Sequence, residues 1–545
     1  METDDAPSTS PRPSRHHLES AFIALAAFAV YALLCAPVSG MGDSSEFTLV
    51  LATNGVAHPT GYPLYTLFGH VFCVILHAFT VGWPLAAALW SATGGAIAVF
   101  FLRALAVELI DPESPASPTT RLLATVIPVA LFAFQPVVLG GATNAEVNIW
   151  SLAWACAAAY VFTCLMRAIR AGAAAEAPRA ARAAALWGLV CGAGLAHHLT
   201  SIWISASLTA GLGVALVRRR RLAPSLVMTA FGATLVPLSS YGIIAWHAWH
   251  PAKVQWLWLD PGWTSVVRHV TGAQYQLFLG SFAPNPFQKE LLAGAVYPFL
   301  LPGLVLLALG ALRARDTERR IAAWSLFVAA LLATVFIFRY GVPDPAPYFL
   351  PAMALGVAAA APALASIPGV GTRAGTIAIA ALGLAGAFPI AAWLRDGNEE
   401  RRATLEFDAT IRSMWSAISP DTALVSWTDD RFLRLREYQI LRGEKPALLV
   451  VTPDVLFANS VRAEIRDRFG ADPLLGFESP HLTRGAPSQE RIIGHMRRRL
   501  LDDLNARIRA PVILFDPSKP IVFQLRKPWD PADDVHDPRP AHEGK

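Results

Sequence analysis

The sequence has few charged side chains for its length. Of 545 residues only 16% are Asp, Glu, Lys or Arg, whereas 54% are hydrophobic. Soluble domains carry about 25% charged residues. This composition therefore excludes a soluble enzyme, a nucleic-acid-binding protein and a disordered scaffold. Apolar runs at 21–38, 84–102 and 321–338 are each close to the length of about 20 residues that crosses a bilayer, so we expect a polytopic membrane protein.

Cysteine is also scarce. The five cysteines all lie in apolar segments, and the polar C-terminal region has none. This distribution excludes a disulfide framework and provides no metal-ligand spacing. We expect neither a metal nor a cofactor. The region after residue 395 lacks a glycine-rich phosphate loop as well, so its sequence assigns it no chemistry.

The arginines orient the apolar runs, because loops that remain in the cytoplasm are enriched in Lys and Arg. All basic clusters fall on the inside if the stretch 62–79 lies at the membrane surface instead of crossing. Residues 1–17 then form a cytoplasmic tail, and 18–394 form a membrane domain in a bacterial inner membrane. Its first helix is a retained signal anchor. The eleven predicted spans are 19–38, 84–107, 121–140, 146–167, 183–197, 200–217, 222–245, 293–312, 321–338, 348–366 and 374–394.

Three external segments follow from this topology. Residues 39–83 form a first loop with two short helices, near 44–54 and 62–79. Residues 246–292 form a second loop, whose many tryptophans are typical of an aromatic belt at the interface. Residues 395–545 alternate short apolar strands with helices, which predicts a small extracytoplasmic α/β domain with a partly parallel sheet. Its strands are expected at 422–427, 447–451 and 511–515, and its helices near 430–442, 456–469 and 488–509.

Six polar groups stand out in the external regions, and each also has a purely structural explanation. Asp43 and Glu46 are spaced as a capping box, although a carboxylate held at the membrane surface also suits general-base chemistry. The turn with two prolines and a glycine at 58–63 explains those three residues but not His58, Tyr62 and Tyr65, which could line a polar pocket.

The other groups lie further along the chain. Glu146 suits an N-cap of the next span. His197 and His198 suit a hydrogen-bonding pair, since a zinc site would need further ligands. The external arginines, Arg268 and Arg339, indicate an anionic partner because guanidinium suits phosphate oxygens, although Arg339 could also pair locally with Asp344. All six groups lie on one side of the membrane, which predicts a site for an anionic, membrane-associated substrate.

Two motifs in the first external loop resemble a known family. The stretches Gly42-Asp43-Ser44-Ser45-Glu46-Phe47 and Ala57-His58-Pro59-Thr60-Gly61-Tyr62-Pro63-Leu64-Tyr65 are similar to the plexin-type protein O-mannosyltransferase family, within the GT-C superfamily of polyprenyl-phosphate-sugar glycosyltransferases. The resemblance extends over about residues 20–365. Ser45 stands where many relatives have Gly. The further matching residues are Glu146, His197, His198, Arg268, Gln274, Tyr275, Asp344 and Tyr348.

The resemblance implies a fold and an activity. The fold would be that of GT-C enzymes, α-helical with about eleven membrane spans and two surface helices in the first external loop. An acidic residue of that loop, Asp43 or Glu46, would be the catalytic base. The enzyme would transfer a hexose, mannose by analogy with the animal member, from a polyprenyl-phosphate donor to a protein Ser/Thr or a glycan. Arg268 would stabilise the donor phosphate, with Arg339 or His198 as the second candidate.

Two other functions fit the same membrane topology. A transporter or flippase of a lipid-linked saccharide would place polar residues along a path through the bilayer. We disfavour it because the helices show no internal two-fold repeat and the polar groups cluster at one face. A non-catalytic assembly factor would use the outer domain to recruit partners. Vesicle uptake tests the first alternative, and transfer by the purified chain excludes the second.

Overall fold

The computed structural model describes a predominantly helical chain. It covers residues 15–172, 177–280, 282, 284–342, 344–367, 369, 371–418, 424–426, 431–451, 458–469, 512–515 and 522–524. The predicted helix at 488–509 lies outside these residues. The chain divides into two compact units. Unit 1 comprises Met1–Cys35, Ala88–Ser240 and Phe278–Glu400, and unit 2 comprises Ala36–Ala87, Tyr241–Leu277 and Arg401–Lys545.

Unit 1 consists of long apolar helices. Two helices, α4 and α17, have residues in both units. The bounds are α1 Arg15–Leu34, α4 Trp83–Leu109, α5 Pro118–Ala133, α6 Pro136–Thr143, α7 Asn148–Arg170, α8 Ala177–His197, α9 Ile202–Arg218, α10 Pro224–Leu238, α13 Pro286–Leu291, α14 Tyr297–Arg313, α15 Thr317–Ile337, α16 Leu350–Ala365 and α17 Arg373–Ala417.

Most of the predicted spans are confirmed as helices of membrane-spanning length. Within the described residues, nine helices are long and apolar enough to cross a bilayer, or ten if one bent pair counts as a span. The predicted polytopic helical fold is therefore confirmed, with nine or ten such helices in the described part of the chain where about eleven were expected. The span predicted at 183–197 is a helix, α8, but it is not among these nine or ten. Its first turns carry Arg179 and Arg182, and alanine and glycine supply much of the remainder.

The span predicted at 121–140 is broken. Helices α5 and α6 meet at a bend of 66°. Gln135 accepts a hydrogen bond from the Val137 backbone nitrogen at 2.9 Å, and Pro136 occupies the first turn of α6. Because proline has no N–H and favours the start of a helix, this pair ends α5 and begins α6. An apolar run alone does not reveal such a break.

The last predicted span is the beginning of a much longer helix. Helix α17 runs for 45 residues, from Arg373 to Ala417, whereas the apolar run ends at 394. Its second half is rich in charged residues that favour helix, including Glu399, Glu400 and Arg401. The hydropathy boundary at 394 therefore marks the end of the apolar sequence and not the end of the helix.

Unit 2 combines the two predicted external loops with the C-terminal region. Helices near the positions predicted in the first loop are present as α2 and α3. The helices are α2 Ser44–Thr53, α3 Pro63–Ala78, α11 Gly242–Trp249, α12 Trp263–Val270, α18 Arg431–Arg442 and α19 Asn459–Phe469, and the strands are β1 Leu424–Ser426, β2 Leu449–Val451, β3 Val512–Phe515 and β4 Val522–Gln524.

The sheet of unit 2 is partly parallel, as predicted. Its strand order is β2-β1-β3-β4, in which β1 pairs in parallel with both β2 and β3, and β4 pairs antiparallel with β3. The end of α17 and the helix α18 cover a buried apolar cluster beside it. That cluster contains Ile411, Trp415, Ile418, Leu435, Tyr438, Leu448 and Val450.

Helices α14 and α16 of unit 1 cross at two glycines. A Cβ added to Gly356 would lie 2.5 Å from the Gly303 Cα, and one added to Gly303 would lie 2.7 Å from the Gly356 Cα. Small residues let helix backbones approach closely in membrane proteins. This crossing therefore has no room for a side chain at either position.

We expect Gly356→Ala to destabilise the protein, because the added methyl group forces α14 and α16 apart. Overpacking of this kind costs about 1–3 kcal/mol. Thermal unfolding in detergent measures the effect. Gly310→Ala on α14 is the matched control, since nothing lies within 4 Å of a Cβ added there. A Gly356→Ala variant as stable as this control would contradict the close crossing.

Candidate active site

Asp43 lies in a loop at the start of α2, and its side chain is exposed. It occupies the N-cap position, yet its carboxylate makes no capping hydrogen bond. The capping-box interpretation is therefore wrong for Asp43. The preceding Gly42 has φ of +63°, a conformation that glycine adopts readily. The Asp43 side chain is 51% exposed, so its carboxylate is accessible to a reacting group.

Glu46, one turn further along α2, is directed to the turn that follows the helix. Its Oε1 accepts a hydrogen bond from the His58 backbone nitrogen at 2.6 Å, and its Oε2 lies 2.9 Å from His58 Nδ1. Its side chain is only 9% exposed. A buried carboxylate needs such partners, because leaving it without them would cost several kcal/mol. The two contacts thus join α2 to the turn at 57–62.

His58 lies between the two acids. Its Nε2 is 4.0 Å from Asp43 Oδ2 and 3.0 Å from the Tyr62 hydroxyl. When Nδ1 carries the proton donated to Glu46, a neutral imidazole presents Nε2 as an acceptor to Tyr62. We call Asp43, Glu46 and His58 the acid–histidine cluster. It combines a buried, fixed acid with an exposed one.

The surroundings of Asp43 change its acidity. Desolvation by the surrounding protein raises the pKa of Asp43, the charge of His58 lowers it, and the Glu46 carboxylate raises it, with a net increase above 3.8. Desolvation is the largest cause even though half of the side-chain surface is open, because protein encloses the other half. An acid with a raised pKa is a stronger base when ionised, as a general base requires.

Aromatic rings enclose the cluster. The Phe47 ring, which is fully buried, lies 5.3–5.9 Å from the rings of His58, Tyr62 and Tyr65. The rings of Trp256 and Tyr275, from the segment 246–292, lie 6.3 Å and 6.4 Å from the His58 ring. The Trp256 backbone nitrogen donates to the Val56 carbonyl oxygen at 2.8 Å. Tyr62, Tyr65 and Tyr275 thus lie near the cluster, and their role in a substrate pocket stays a prediction.

A buried histidine supports the turn that carries His58. A Cβ added to Gly61 would lie 2.4 Å from Ile244 Cδ1 and 3.0 Å from His269 Nε2, and Gly61 has φ of +84°. Burial lowers the pKa of His269 to about 3, helped by the charge of His58 and opposed by a hydrogen bond to the Ala57 backbone. His269 is therefore neutral at physiological pH. It packs under the turn as an uncharged support.

His269 is a residue of the site for which no role was predicted. It lies on α12 beside Arg268, which was chosen for its charge. Adjacent helix residues point to different sides, and here the imidazole is buried whereas the arginine is exposed. The alternation of apolar and polar residues along α12 would have identified His269 as the inward-facing position. Gln274 lies half-buried in the 3-10 turn after α12.

The remaining predicted residues belong to unit 1. Glu146 Oε1 accepts hydrogen bonds from the backbone and side-chain nitrogens of Asn148, both at 3.0 Å, at the start of α7. This is the structural role that the sequence offered as an alternative. Arg339 and Asp344 are exposed in the segment after α15.

The paired histidines make hydrogen bonds, as expected. His197 is buried, with Nε2 at 3.1 Å from the Val147 carbonyl oxygen, and His198 Nδ1 lies 2.8 Å from the Thr200 hydroxyl. The ring of His198 lies 5.7 Å from that of Tyr348. Both rings line a pocket between the ends of α8, α9 and α15. The expectation that one chamber gathers these residues with the acid–histidine cluster stays a prediction.

We expected no metal site, and the spacing of the ligand atoms in the acid–histidine cluster is relevant to that expectation. Ligand atoms of Asp43, Glu46 and His58 all lie within 4.8 Å of one another, so their spacing would suit a cation. Both Glu46 oxygens, however, already accept the hydrogen bonds from His58. A metal-free site stays our prediction.

Comparisons with known proteins agree with the resemblance in the first loop. Residues 43–218 match the family model described as the N-terminal domain of the protein O-mannosyl-transferase TMEM260. The protein O-mannosyl-transferase tmem260 of Dictyostelium discoideum is 35% identical over 75 residues, which are 13% of this chain and 9% of that protein. The chain thus matches under a tenth of that relative's length. The predicted family resemblance is confirmed over the matched residues.

A solved structure is also similar. The crystal structure of ArnT from Cupriavidus metallidurans bound to undecaprenyl phosphate aligns with a TM-score of 0.49 and 10% identity, covering 79% of this chain and 89% of that chain.

We expect Glu46→Leu to destabilise the protein, because it removes the acceptor of the buried His58 backbone N–H. An unsatisfied buried donor costs about 1–3 kcal/mol. Tyr62→Phe removes a hydroxyl that contacts the same imidazole at 3.0 Å and the Pro59 carbonyl oxygen at 3.3 Å but leaves the His58 backbone N–H bonded, so it is the matched control and should lower stability less. Unfolding followed by tryptophan fluorescence measures both. Equal stability of the two variants would contradict the structural role of Glu46.

Proposed function

We propose that the protein is an integral-membrane glycosyltransferase in which Asp43 is the general base. It transfers a hexose, mannose by analogy with the family, from a polyprenyl-phosphate donor to an acceptor hydroxyl. The acceptor is a protein Ser or Thr, and the reaction takes place on the extracytoplasmic side. The observation that carries this proposal is the uncapped, accessible Asp43 carboxylate, 4.0 Å from His58 and one turn from the buried Glu46.

Two further observations support the assignment. The residues that match the O-mannosyl-transferase family model begin at Asp43 itself and include the whole turn at 57–62. The long apolar helices provide the bilayer setting in which a lipid-linked donor would reach an external loop. The membrane would be a bacterial inner membrane, with the N-terminus inside and the C-terminal region outside.

In the proposed reaction the acceptor hydroxyl attacks the anomeric carbon of the donor. Asp43 takes the hydroxyl proton as the new C–O bond forms. The bond from the anomeric carbon to the phosphate oxygen breaks, and its electron pair leaves with the polyprenyl phosphate. Attack from the side opposite the leaving group inverts the anomeric configuration. The leaving group is already an anion, so it needs charge stabilisation more than a proton.

The positive charge for that step would come from an arginine. Arg268 is the first candidate because it is exposed on α12 next to His269, which supports the turn carrying His58. Arg339 and His198 of unit 1 are the second candidates. The acid–histidine cluster would work without a metal or cofactor, since phosphate departure does not require one.

The three members of the acid–histidine cluster have different roles in this proposal. Glu46 holds His58 through two contacts, and His58 in turn faces the Asp43 carboxylate. A protonated imidazole held beside Asp43 would stabilise the ionised base before the proton arrives. Tyr62 and Tyr65 are buried beside the cluster, whereas the half-buried ring of Tyr275 offers a surface on which a sugar can stack.

Replacement of Asp43 tests the proposal directly. Asp43→Asn keeps the side-chain shape but cannot accept the proton as a carboxylate, so we expect transfer to fall by about 100-fold or more. The assay uses undecaprenyl-phosphate mannose labelled with tritium and a peptide rich in Ser and Thr, with membranes containing the full chain. Asp396→Asn, an exposed acid of α17, is the control and should leave transfer unchanged. Undiminished transfer by Asp43→Asn would refute the assignment.

The pH dependence of transfer gives a second test. Only ionised Asp43 accepts a proton, and its pKa is raised above 3.8. Transfer should therefore fall as the pH decreases through this raised pKa, at a higher pH than an ordinary aspartate would show. The measurement is kcat/KM across the acidic range. A rate that stays constant down to about pH 4 would mean that no raised carboxyl group acts as the base.

A further inference from the structure

Helix α18 of the C-terminal region contacts the loop that carries Asp43. Arg434 donates from Nη2 to the Ser39 carbonyl oxygen and, at 3.0 Å, to that of Gly40. Glu437, one turn along the same helix, accepts a hydrogen bond from the Ser39 hydroxyl at 2.9 Å. Residues 39–45, which we call the Asp43 segment, are thus held by side chains almost 400 positions away in the sequence.

We propose that Arg434 and Glu437 are positioning residues that set the location of the Asp43 carboxylate, and that the C-terminal region is therefore part of the catalytic scaffold. This inference rests on the proposed function of Asp43. It gives the outer region a role in the chemistry itself, whereas the sequence assigned it none.

Arg434 and Glu437, which we call the clamp, are buried and paired with each other, as a fixed support must be. Arg434 is 2% exposed and Glu437 5%. Arg434 Nη1 lies 2.8 Å from Asp408 Oδ1, and its Nε lies 3.6 Å from Glu437 Oε2. The hydroxyl of Tyr438 donates to the same Asp408 oxygen at 2.8 Å. A buried guanidinium bound by two carboxylates has little freedom to move, so the carbonyl oxygens it holds are fixed as well.

The clamp reaches the Asp43 segment from both sides of the acid. Burial raises the pKa of Glu437, Arg434 opposes this, and hydrogen bonding by the Ser39 and Ser45 hydroxyls also lowers it. Ser39 precedes Asp43, and Ser45 follows it. Glu437 therefore interacts with hydroxyl groups on both sides of Asp43.

Gly42 lies between the two residues that the clamp holds and Asp43. Gly42 has φ of +63°, and no heavy atom lies within 4 Å of a Cβ added there. The segment is otherwise bound internally, with the Ser44 hydroxyl accepting from the Gly40 nitrogen at 2.9 Å. Because Arg434 and Glu437 hold Ser39 and Gly40, and Gly40 is bonded to Ser44 beyond the acid, these contacts limit where the Asp43 carboxylate can lie. A displacement of about 1 Å at a reacting group can cost about 100-fold in rate.

The first experiment separates positioning from general stability. Arg434→Gln and Glu437→Leu should each lower kcat by about 10–100-fold while the KM for undecaprenyl-phosphate mannose stays unchanged. Arg412→Gln is the matched control, because it breaks another part-buried ion pair of the same region, with Glu444 at 2.7 Å. Equal kcat for the clamp variants and the control, at equal thermal stability, would overturn the proposal.

One combined variant and one conservative single variant test whether the clamp acts through Asp43. In an Asp43→Asn background, Arg434→Gln should lower the residual rate no further, since the group it positions is gone. Glu437→Gln should retain transfer with a loss below about tenfold, because the amide oxygen still accepts from Ser39. An additive loss in the Asp43→Asn background would show that the clamp acts elsewhere and would refute the inference.

A measurement that needs no activity completes the test. Met41, which is exposed between the clamp and Asp43, carries a nitroxide after Met41→Cys in a variant whose five native cysteines are replaced by serine. Arg434→Gln should increase the mobility of this label, whereas Arg412→Gln should not. A label that stays equally immobile in both refutes the clamp. Increased mobility with no transfer by the wild-type chain would instead refute the proposed function and leave the clamp intact.

Discussion

The contact between Glu46 and His58 is the interaction on which the candidate site depends. A carboxylate that is nearly buried accepts two N–H groups, one from the backbone and one from the imidazole of the same residue. The two contacts fix the position and the rotation of His58 relative to α2. The third member of the cluster, Asp43, then has a defined neighbour at 4.0 Å. Without Glu46 the turn at 57–62 would lose both of these hydrogen bonds to α2.

Burial distinguishes the ionisable groups of unit 2 that hold the candidate site in place from the group that is proposed to react. His269 is kept neutral by burial, and Glu437 and Arg434 are buried in mutual contact. Asp43 alone in the acid–histidine cluster has a largely exposed side chain, 51% against 9% for Glu46 and 12% for His58. Reactivity requires access to the substrate, whereas a supporting group can be desolvated. Among the three members of the cluster, the exposures therefore favour Asp43 as the proposed base.

The sequence predicted those features that depend on local pattern. The apolar runs located most of the membrane helices, and alternation of short strands with helices located the partly parallel sheet. The sequence did not predict features that depend on contacts between residues far apart in the chain. The spacing of Asp43 and Glu46 is identical for a capping box and for a catalytic pair, and only the contact of Glu46 with His58, 12 positions away, distinguishes them. Arg434 gives no local sign of binding Ser39, because a charged residue on a helix usually faces solvent.

The grouping of unit 2 explains why loops could carry a precise site. Residues 36–87, 241–277 and the C-terminal region form one compact unit, although the sequence presents them as two loops and a separate domain. Catalytic residues often lie on loops that a rigid scaffold positions. Here an apolar cluster of Val56, Ile244, Ala248, Leu259 and Val266 supports the turn that carries His58. The Asp43 segment is held by α18 in the same unit. Each of the two segments that carry the acid–histidine cluster therefore has its own buried support, and both supports hold Asp43 and His58 in place relative to each other.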